Sequence, residues 1–303
     1  MASASDSKRR LIRVAVVGTG TEIGKTHVSC ALLRFWSASC RVVGLKPIET
    51  GVGLEEVAGT RGRRNGGTSV EPSDQERLAE AARVFHVKQV GGRPTPRAGS
   101  FHVKQSARQR GPLAVPSLTS IKGGGRPTGQ RRARVGSPPL RSLFAFSDPV
   151  SPHLAARDAG VRIDLGAIER WVADHQAPIT VVETAGALFS PVGYGTTNFD
   201  LVQSLRPDIV VLVAPDRLGV LHDLTTTLAL AAARGGPELA IVLSGPARSD
   251  TSTGRNAAEI EALGIGHVVA EFPRAAANAP ATTHAAERVD AWMHAKLDAN
   301  RSL

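Results

Sequence analysis

Cysteine is scarce in this chain, and so are aromatic residues. Of 303 residues, two are cysteine, and Phe, Trp and Tyr together make up 4%. Two thiols cannot form a disulfide framework. Cys30 and Cys40 lie in or beside the first helical stretch and read as buried, reduced thiols. No apolar run approaches the roughly 18 to 20 residues that a spanning helix needs. The opening "MASASDSKRR" is polar and leads straight into a strand-like run rather than a signal h-region. The expected compartment is therefore the cytosol.

Acidic residues are missing from one region only. From His86 to Ser142 there are twelve Lys or Arg and no Asp or Glu. Taking those twelve from the 37 basic residues leaves 25 against 27 acidic ones, so the formal charge of +10 belongs to this segment alone. It repeats short phrases, "FHVKQ" at 85–89 and 101–105, and "GGRPT" at 91–95 and 124–128. Rich in Gly, Pro, Arg and Ser, it sustains no hydrophobic period and reads as a disordered insert at 86–142 within one domain spanning 1–303. An arm for RNA or an acidic partner is the alternative, but stacking aromatics are almost absent from it. Nucleic acid and membrane are thus not expected partners.

Outside the insert, strand-like and helix-like segments alternate. Apolar runs rich in Val and Ile fall at 13–18, 41–46, 179–183, 208–214, 239–244 and 267–272. Their continuous apolarity predicts parallel strands covered on both faces. Helical stretches fall near 25–38, 164–175, 198–205, 219–234 and 255–263, with Asp164 and Asp200 at helix starts and Gly235 and Gly264 near helix ends. The pattern predicts an α/β three-layer fold with a mainly parallel sheet. Ligands in such folds sit at the carboxyl ends of strands, so polar residues just after each apolar run carry the chemistry.

The first such place is "VVGTGTEIGKTHVSCALL", residues 16–33. Gly18 follows a strand, and Gly24-Lys25-Thr26 opens a helix. This is the context of a phosphate-binding loop, although five residues rather than the usual four separate Gly18 from Gly24. Backbone N–H groups from Ile23 to Thr26 would face phosphate oxygens. Lys25 would neutralise them, and the Thr26 hydroxyl would ligate Mg²⁺. After the second strand, Lys46 emerges beside this loop. After the third, Glu183 is the first acid, placed to hold Mg²⁺, and Gly186 lets the backbone approach the nucleotide.

Together these stretches resemble the ATP-dependent dethiobiotin synthetase family of biotin synthesis. Its lengthened loop reads Gly-Thr-Asp-Thr-Glu-Val-Gly-Lys-Thr, and "GTGTEIGKT" follows it except at Gly20 and Ile23. "KPIETG" (46–51) matches its lysine loop, and "SDPVSPHLAA" (147–156) its Pro-x-Ser-Pro-His stretch. "VVETAGAL" (181–188) is similar to its Val-Glu-Gly-Ala-Gly-Gly segment, and "DRLGVLHDLTTTLAL" (216–230) to its Leu-Gly-x-x-x-His helix start. The likeness covers about 11–84 and 145–275, interrupted by the basic insert.

The resemblance implies a P-loop NTPase-like fold and the closure of a cyclic urea from 7,8-diaminononanoate, CO₂ and MgATP by a homodimer. It makes Lys46 the catalytic lysine, and puts Thr50 near the substrate. Thr26, Asp74 and Glu183 become the metal shell. The ATP-binding set it implies is Glu22, Ile23, Gly24, Lys25, Thr26, His27, Asp74, Glu183, Thr184, Ala185, Gly186, Ser244 and Pro273. Departures from the family pattern are Gly20 for a loop Asp, Thr184 and Ala187 for glycines, and Ser244 where an adenine-reading Asn is frequent. The rival reading is a partition-type or carrier P-loop ATPase acting as an interaction switch. Such proteins carry a lysine early in the loop, where this chain has Thr19-Gly20-Thr21-Glu22.

Overall fold

The structure, a computed structural model, describes residues 11–53, 72–84, 101–102 and 140–301. Most of the segment read as a disordered insert lies outside the described residues, as does the polar stretch 1–10.

All six runs expected as strands form one sheet: β1 (Ile12–Gly18), β2 (Val42–Leu45), β6 (Ile179–Glu183), β9 (Ile209–Pro215), β10 (Leu239–Ser244) and β11 (Val268–Phe272). Their order is β11-β10-β9-β1-β6-β2, and every neighbouring pair is parallel. The strands alternate with helices because each parallel step needs a crossover. Successive side chains point to opposite faces, so Val14 and Val16 of β1 enter one core with α1 (Lys25–Ser37) and α8 (Pro280–Ala299). Ala15 and Val17 enter the other, against α5 (Asn198–Leu205), α6 (Val220–Ala233) and α7 (Asn256–Ala262). Burial on both faces explains the continuous apolar runs.

Several short elements were not anticipated. A second parallel sheet pairs β3 (Ile48–Thr50) with β5 (Phe144–Phe146), and β5 also with β4 (Phe101–His102). It lays the "KPIETG" and "SDPVSPH" stretches side by side, with the Gly51 amide donating to Asp148 O at 3.2 Å. Helices α2 (Asp74–Ala81) and α3 (Pro152–Asp158) cover this end together with α4 (Leu165–Asp174), which was expected at 164–175, and a hairpin of β7 (Pro191–Gly193) and β8 (Thr196–Thr197) follows β6. The 20-residue α8 was not anticipated either. Its buried stripe of Ala285, Ala286, Val289, Met293 and Leu297 is half alanine at its start, which gives little contrast in sequence.

The expected caps hold. Asp164 accepts from the Gly166 amide at 2.9 Å, and Asp200 completes a capping box with Thr197. The chain leaves β1 through α1 to β2 at one edge, with β6 inserted between them, while β9 lies on the other flank of β1. The crevice at the carboxyl end of β1 is therefore the topological switch point.

Candidate active site

Gly18 ends β1 and the loop 19–24 turns into α1. The loop is tied down on both flanks. The Thr19 amide donates to Val213 O at 3.0 Å, and the Leu188 amide donates to Gly18 O at 2.8 Å. Gly24 caps α1 with φ at 94°, a left-handed conformation that disfavours a side chain. Glu22 also has a positive φ, 57°, and is exposed. Ile23 turns inward onto Gly18, where any Cβ would come within 2.5 Å of its Cδ1. Ile23 and Gly24 therefore offer the loop's backbone rather than side chains to a ligand, at the positive end of a 13-residue helix.

Five expected polar residues converge beside this loop. The Thr26 hydroxyl donates to Glu183 Oε1 at 2.8 Å, and Lys46 Nζ donates to the same oxygen at 2.9 Å. Lys46 Nζ also pairs with Asp74, and Lys25 Nζ donates to Gly20 O at 2.7 Å. Both lysines are buried, and so is Glu183. Burial brings the Lys25 ammonium down to about 8, with Glu183 pulling the other way and Lys46 adding to the fall. Burial also acts to lower Lys46, but Glu183 and Asp74 outweigh it and hold its ammonium above the ordinary lysine range. Burial would raise Asp74, yet the Lys46 charge and the hydrogen bond from Lys46 bring it below the usual carboxylate range.

The oxygens of this cluster suit a small hard cation. Glu183 Oε2 is buried with no hydrogen-bond partner among the described residues, while Asp74 and the Thr26 hydroxyl stand close by. Among the described residues no group of three or more His, Cys, Asp or Glu could hold a metal unaided. Magnesium asks for less than that, because it keeps several waters and shares one or two carboxylates with substrate phosphates.

On the far flank of β1, Ser244 ends β10 and is buried under the loop: a Cβ on Gly24 would lie 2.2 Å from its Oγ. His27 Nε2 lies 3.0 Å from Pro273 O, so Nε2 must carry the proton, since a carbonyl only accepts. Burial, the largest influence, lowers the His27 pKa, against the raising effect of the hydrogen bond to Pro273. After β6, Thr184 is buried and its amide donates to Val16 O at 3.0 Å. Gly186 has φ at 81° and lies beside the loop, its missing Cβ 3.8 Å from Thr21 Oγ1. Thr50 ends β3, half-buried, in register with Phe146.

Three buried polar residues went unnoticed in the sequence. Asn198 donates to Ala185 O at 2.6 Å and Ala187 O at 2.8 Å, fixing the turn after Glu183. Glu49 accepts from the Asp74 amide at 2.6 Å and from Ser142 Oγ at 2.9 Å. Burial, opposed mainly by Lys46, pushes its carboxyl up to about 7. Ser142, the last residue of the basic segment, thus packs with the body. Gln75 is the third. Only its position directly after Asp74 in "PSDQERL" hinted at it.

A parallel sheet covered on both faces, with a lysine-bearing phosphate loop at its switch point, defines the P-loop class of nucleotide-dependent proteins. Comparison with known proteins narrows this. A family model described as an AAA domain matches residues 136–282. The ATP-dependent dethiobiotin synthetase BioD of Anaeromyxobacter dehalogenans is 30% identical over 256 residues, covering 82% of this chain and 83% of that one. A bifunctional dethiobiotin synthetase/7,8-diamino-pelargonic acid aminotransferase of Oryza sativa is 32% identical over 217 residues, 68% of this chain but only 24% of the longer relative. The chain belongs to the ATP-dependent dethiobiotin synthetase family and is an ATP-dependent ligase. Among solved structures, MinD of Pyrococcus horikoshii in complex with Mg-ADP aligns over 95% of this chain and 99% of that one. Its TM-score is 0.46 and its identity 14%, too distant to bear on function.

Proposed function

We propose that this protein closes the cyclic urea of dethiobiotin from 7,8-diaminononanoate, CO₂ and MgATP. The observation that carries the reading is the meeting of Lys46, Thr26 and Asp74 around Glu183, drawn from four separate stretches of the chain. The reaction has three steps. One substrate amine takes up CO₂ as a carbamate, a carbamate oxygen attacks the γ-phosphorus and releases ADP, and the second amine attacks the carbamoyl carbon and expels phosphate. The obstacle is electrostatic, because an anionic carbamate must approach an anionic triphosphate.

Lys46 is the residue placed to meet both anions, and Lys25 neutralises the phosphates along the loop. Thr26, Asp74 and Glu183 would hold Mg²⁺, which supplies further positive charge at the phosphate oxygens. Backbone amides from Ile23 to Thr26 orient the chain of phosphates. Thr184, Ala185 and Gly186 line the nucleotide on the β6 side, with Ser244, Pro273 and His27 on the β10–β11 side. Thr50 faces the diamine, and Glu22 belongs with the loop that holds ATP. The diamine site of this family is completed across a two-fold interface, so the working unit is a homodimer. Among the described residues no helix is long and apolar enough to cross a membrane.

The test is ADP release by purified protein as a function of each reactant. Release should require diamine and bicarbonate together, with one dethiobiotin formed per ADP. Hydrolysis of ATP that ignores both would favour a nucleotide-driven switch and reject the ligase reading.

A further inference from the structure

Strand β2, which delivers Lys46, is the edge of the main sheet, and among the described residues it pairs only with β6. In a strand, residues two apart point their backbone groups the same way. Val43 and Leu45 turn inward to β6, so Gly44 and Lys46 turn theirs to the open edge. An edge strand of only four residues offers little to hold the strand end in place.

Gln75 occupies that edge. The Lys46 amide donates to Gln75 Oε1 at 2.7 Å, and Gln75 Nε2 donates to Gly44 O at 3.0 Å. The partners fix which way the side-chain amide faces, since an N–H can only donate and a carbonyl only accept. One donor and one acceptor meet a C=O and an N–H two residues apart, as the N–H and C=O of one residue in a neighbouring parallel strand would. Gln75 is 1% exposed, so neither bond competes with bulk water. Helix α2 docks tightly enough to enforce the arrangement: a Cβ on Gly44 would come within 2.8 Å of Leu78 Cβ.

The residue before Gln75 is Asp74, whose carboxylate pairs with the Lys46 ammonium. Two consecutive residues at the start of α2 therefore hold Lys46 at its two ends, the backbone by Gln75 and the charge by Asp74. Glu49 in turn pins the start of α2 by accepting the Asp74 amide at 2.6 Å. We infer that Gln75 is a positioning residue for the cyclisation: it stands in for a missing strand at the edge of β2 and fixes the point from which Lys46 reaches the reacting anions. This rests on the reading of Lys46 given above, though the contact itself does not.

The experiment pairs Gln75→Met, which keeps length and apolar bulk but forms neither bond, with Lys46→Ala and the double variant. Small displacements of a positioned group cost up to about a hundredfold in rate, so kcat of Gln75→Met should fall about ten- to a hundredfold. KM for ATP should stay within about twofold, and the substitution should add nothing once Lys46 is already Ala. Losses that multiply in the double variant, or an unchanged kcat in Gln75→Met, would overturn the inference.

Hydrogen exchange of the Lys46 amide in the full-length protein gives a second readout, independent of activity. The amide should be protected in the wild type and exchange at least about tenfold faster in Gln75→Met. Were the wild type to form no dethiobiotin, the functional reading would fail while this exchange still decided the contact: equal protection in both proteins would sink it. If Gln75→Met does not fold, Gln75→Glu retains the acceptor for Lys46 and can donate to Gly44 O only when its carboxyl is protonated. The Lys46 amide should then stay protected and kcat fall by less than tenfold, and loss of protection there would count against the proposal.

Discussion

The two flanks of β1 solve different problems with different materials. Toward β6 and β2, Lys25, Lys46, Asp74, Glu183 and the Thr26 hydroxyl converge, and the hydrogen bonds joining Thr26 and Lys46 to the two acids end on carboxylate oxygens. Toward β10 and β11, the contacts are neutral and depend on shape: Ser244 fills the space beside Gly24, and His27 donates to Pro273 O. Charge-assisted bonds are strong and demand particular residue types. Close packing asks only for the right volume. The first flank should therefore fail sharply when one residue changes, and the second should shift preference without losing the reaction.

The largest effect is expected on the charged flank. Lys46→Ala should lower kcat by about a hundredfold or more, on the scale of losing one preorganised donor to a developing anion. Nucleotide affinity should change little, since Lys25 and the loop amides remain. Steady-state kinetics beside calorimetric titration of nucleotide would separate the two quantities.

On the neutral flank the expected effect is one of choice. An Asn amide matches the N6 and N7 edge of adenine with two bonds, worth roughly 1–3 kcal/mol of discrimination, and the Ser244 hydroxyl cannot reproduce that pair. The protein should accept GTP or CTP more readily than an asparagine-bearing relative, and Ser244→Asn should restore preference for ATP by about ten- to a hundredfold in kcat/KM. A strong ATP preference unaffected by the substitution would leave Ser244 as filler against Gly24.

A third difference appears with pH. Burial sets Lys25 at about 8 against 10.5 when exposed in the unfolded chain. The fold thus prefers the neutral amine. Its contribution to stability is fully present above 10.5 and is lost as pH falls through about 8. Nucleotide binding should run the opposite way, because phosphates need the ammonium. Above pH 8 ATP binding should take up a proton and weaken by up to about tenfold per pH unit. Titrations in two buffers of different ionisation enthalpy would reveal that uptake, and a flat affinity from pH 7 to 9.5 would contradict it.

The smallest effect is expected from the basic segment. Replacing residues 103–139 by a short Gly/Ser linker should leave turnover within a few-fold, because closure entropy grows only logarithmically with loop length. Residues 140–142 must stay, since Ser142 bonds Glu49. Loss of folding in that variant would give the segment a structural role.

Much of this was open to reading in the sequence, and the division follows the same line. Buried parallel strands announce themselves as Val-rich runs, and all six were recognised. Lys25, Thr26, Lys46 and Glu183 stand directly after strand ends or at a helix start, where chemistry in this fold collects. Glu49, Gln75 and Asn198 gave no such signal, because their partners lie elsewhere in the sequence and are mostly backbone groups, such as Gly44 for Gln75. The short sheet of β3, β5 and β4 was equally silent, for β3 and β5 have three residues each and lie on either side of the basic segment. Contacts of that kind are specified by topology, which no local pattern contains.

If the charged flank transfers the γ-phosphoryl group of ATP to a carbamate, releasing ADP, and then closes the ring, the ureido carbon of the product must come from bicarbonate. Purified protein should be given ¹³C-bicarbonate, the diamine and MgATP, and followed by carbon NMR beside Lys46→Ala. Label should appear in the ureido carbon of dethiobiotin with the wild type, and ring formation should be slowed by about a hundredfold or more in the variant. ATP consumption by the wild type with no labelled ureido carbon would contradict this route.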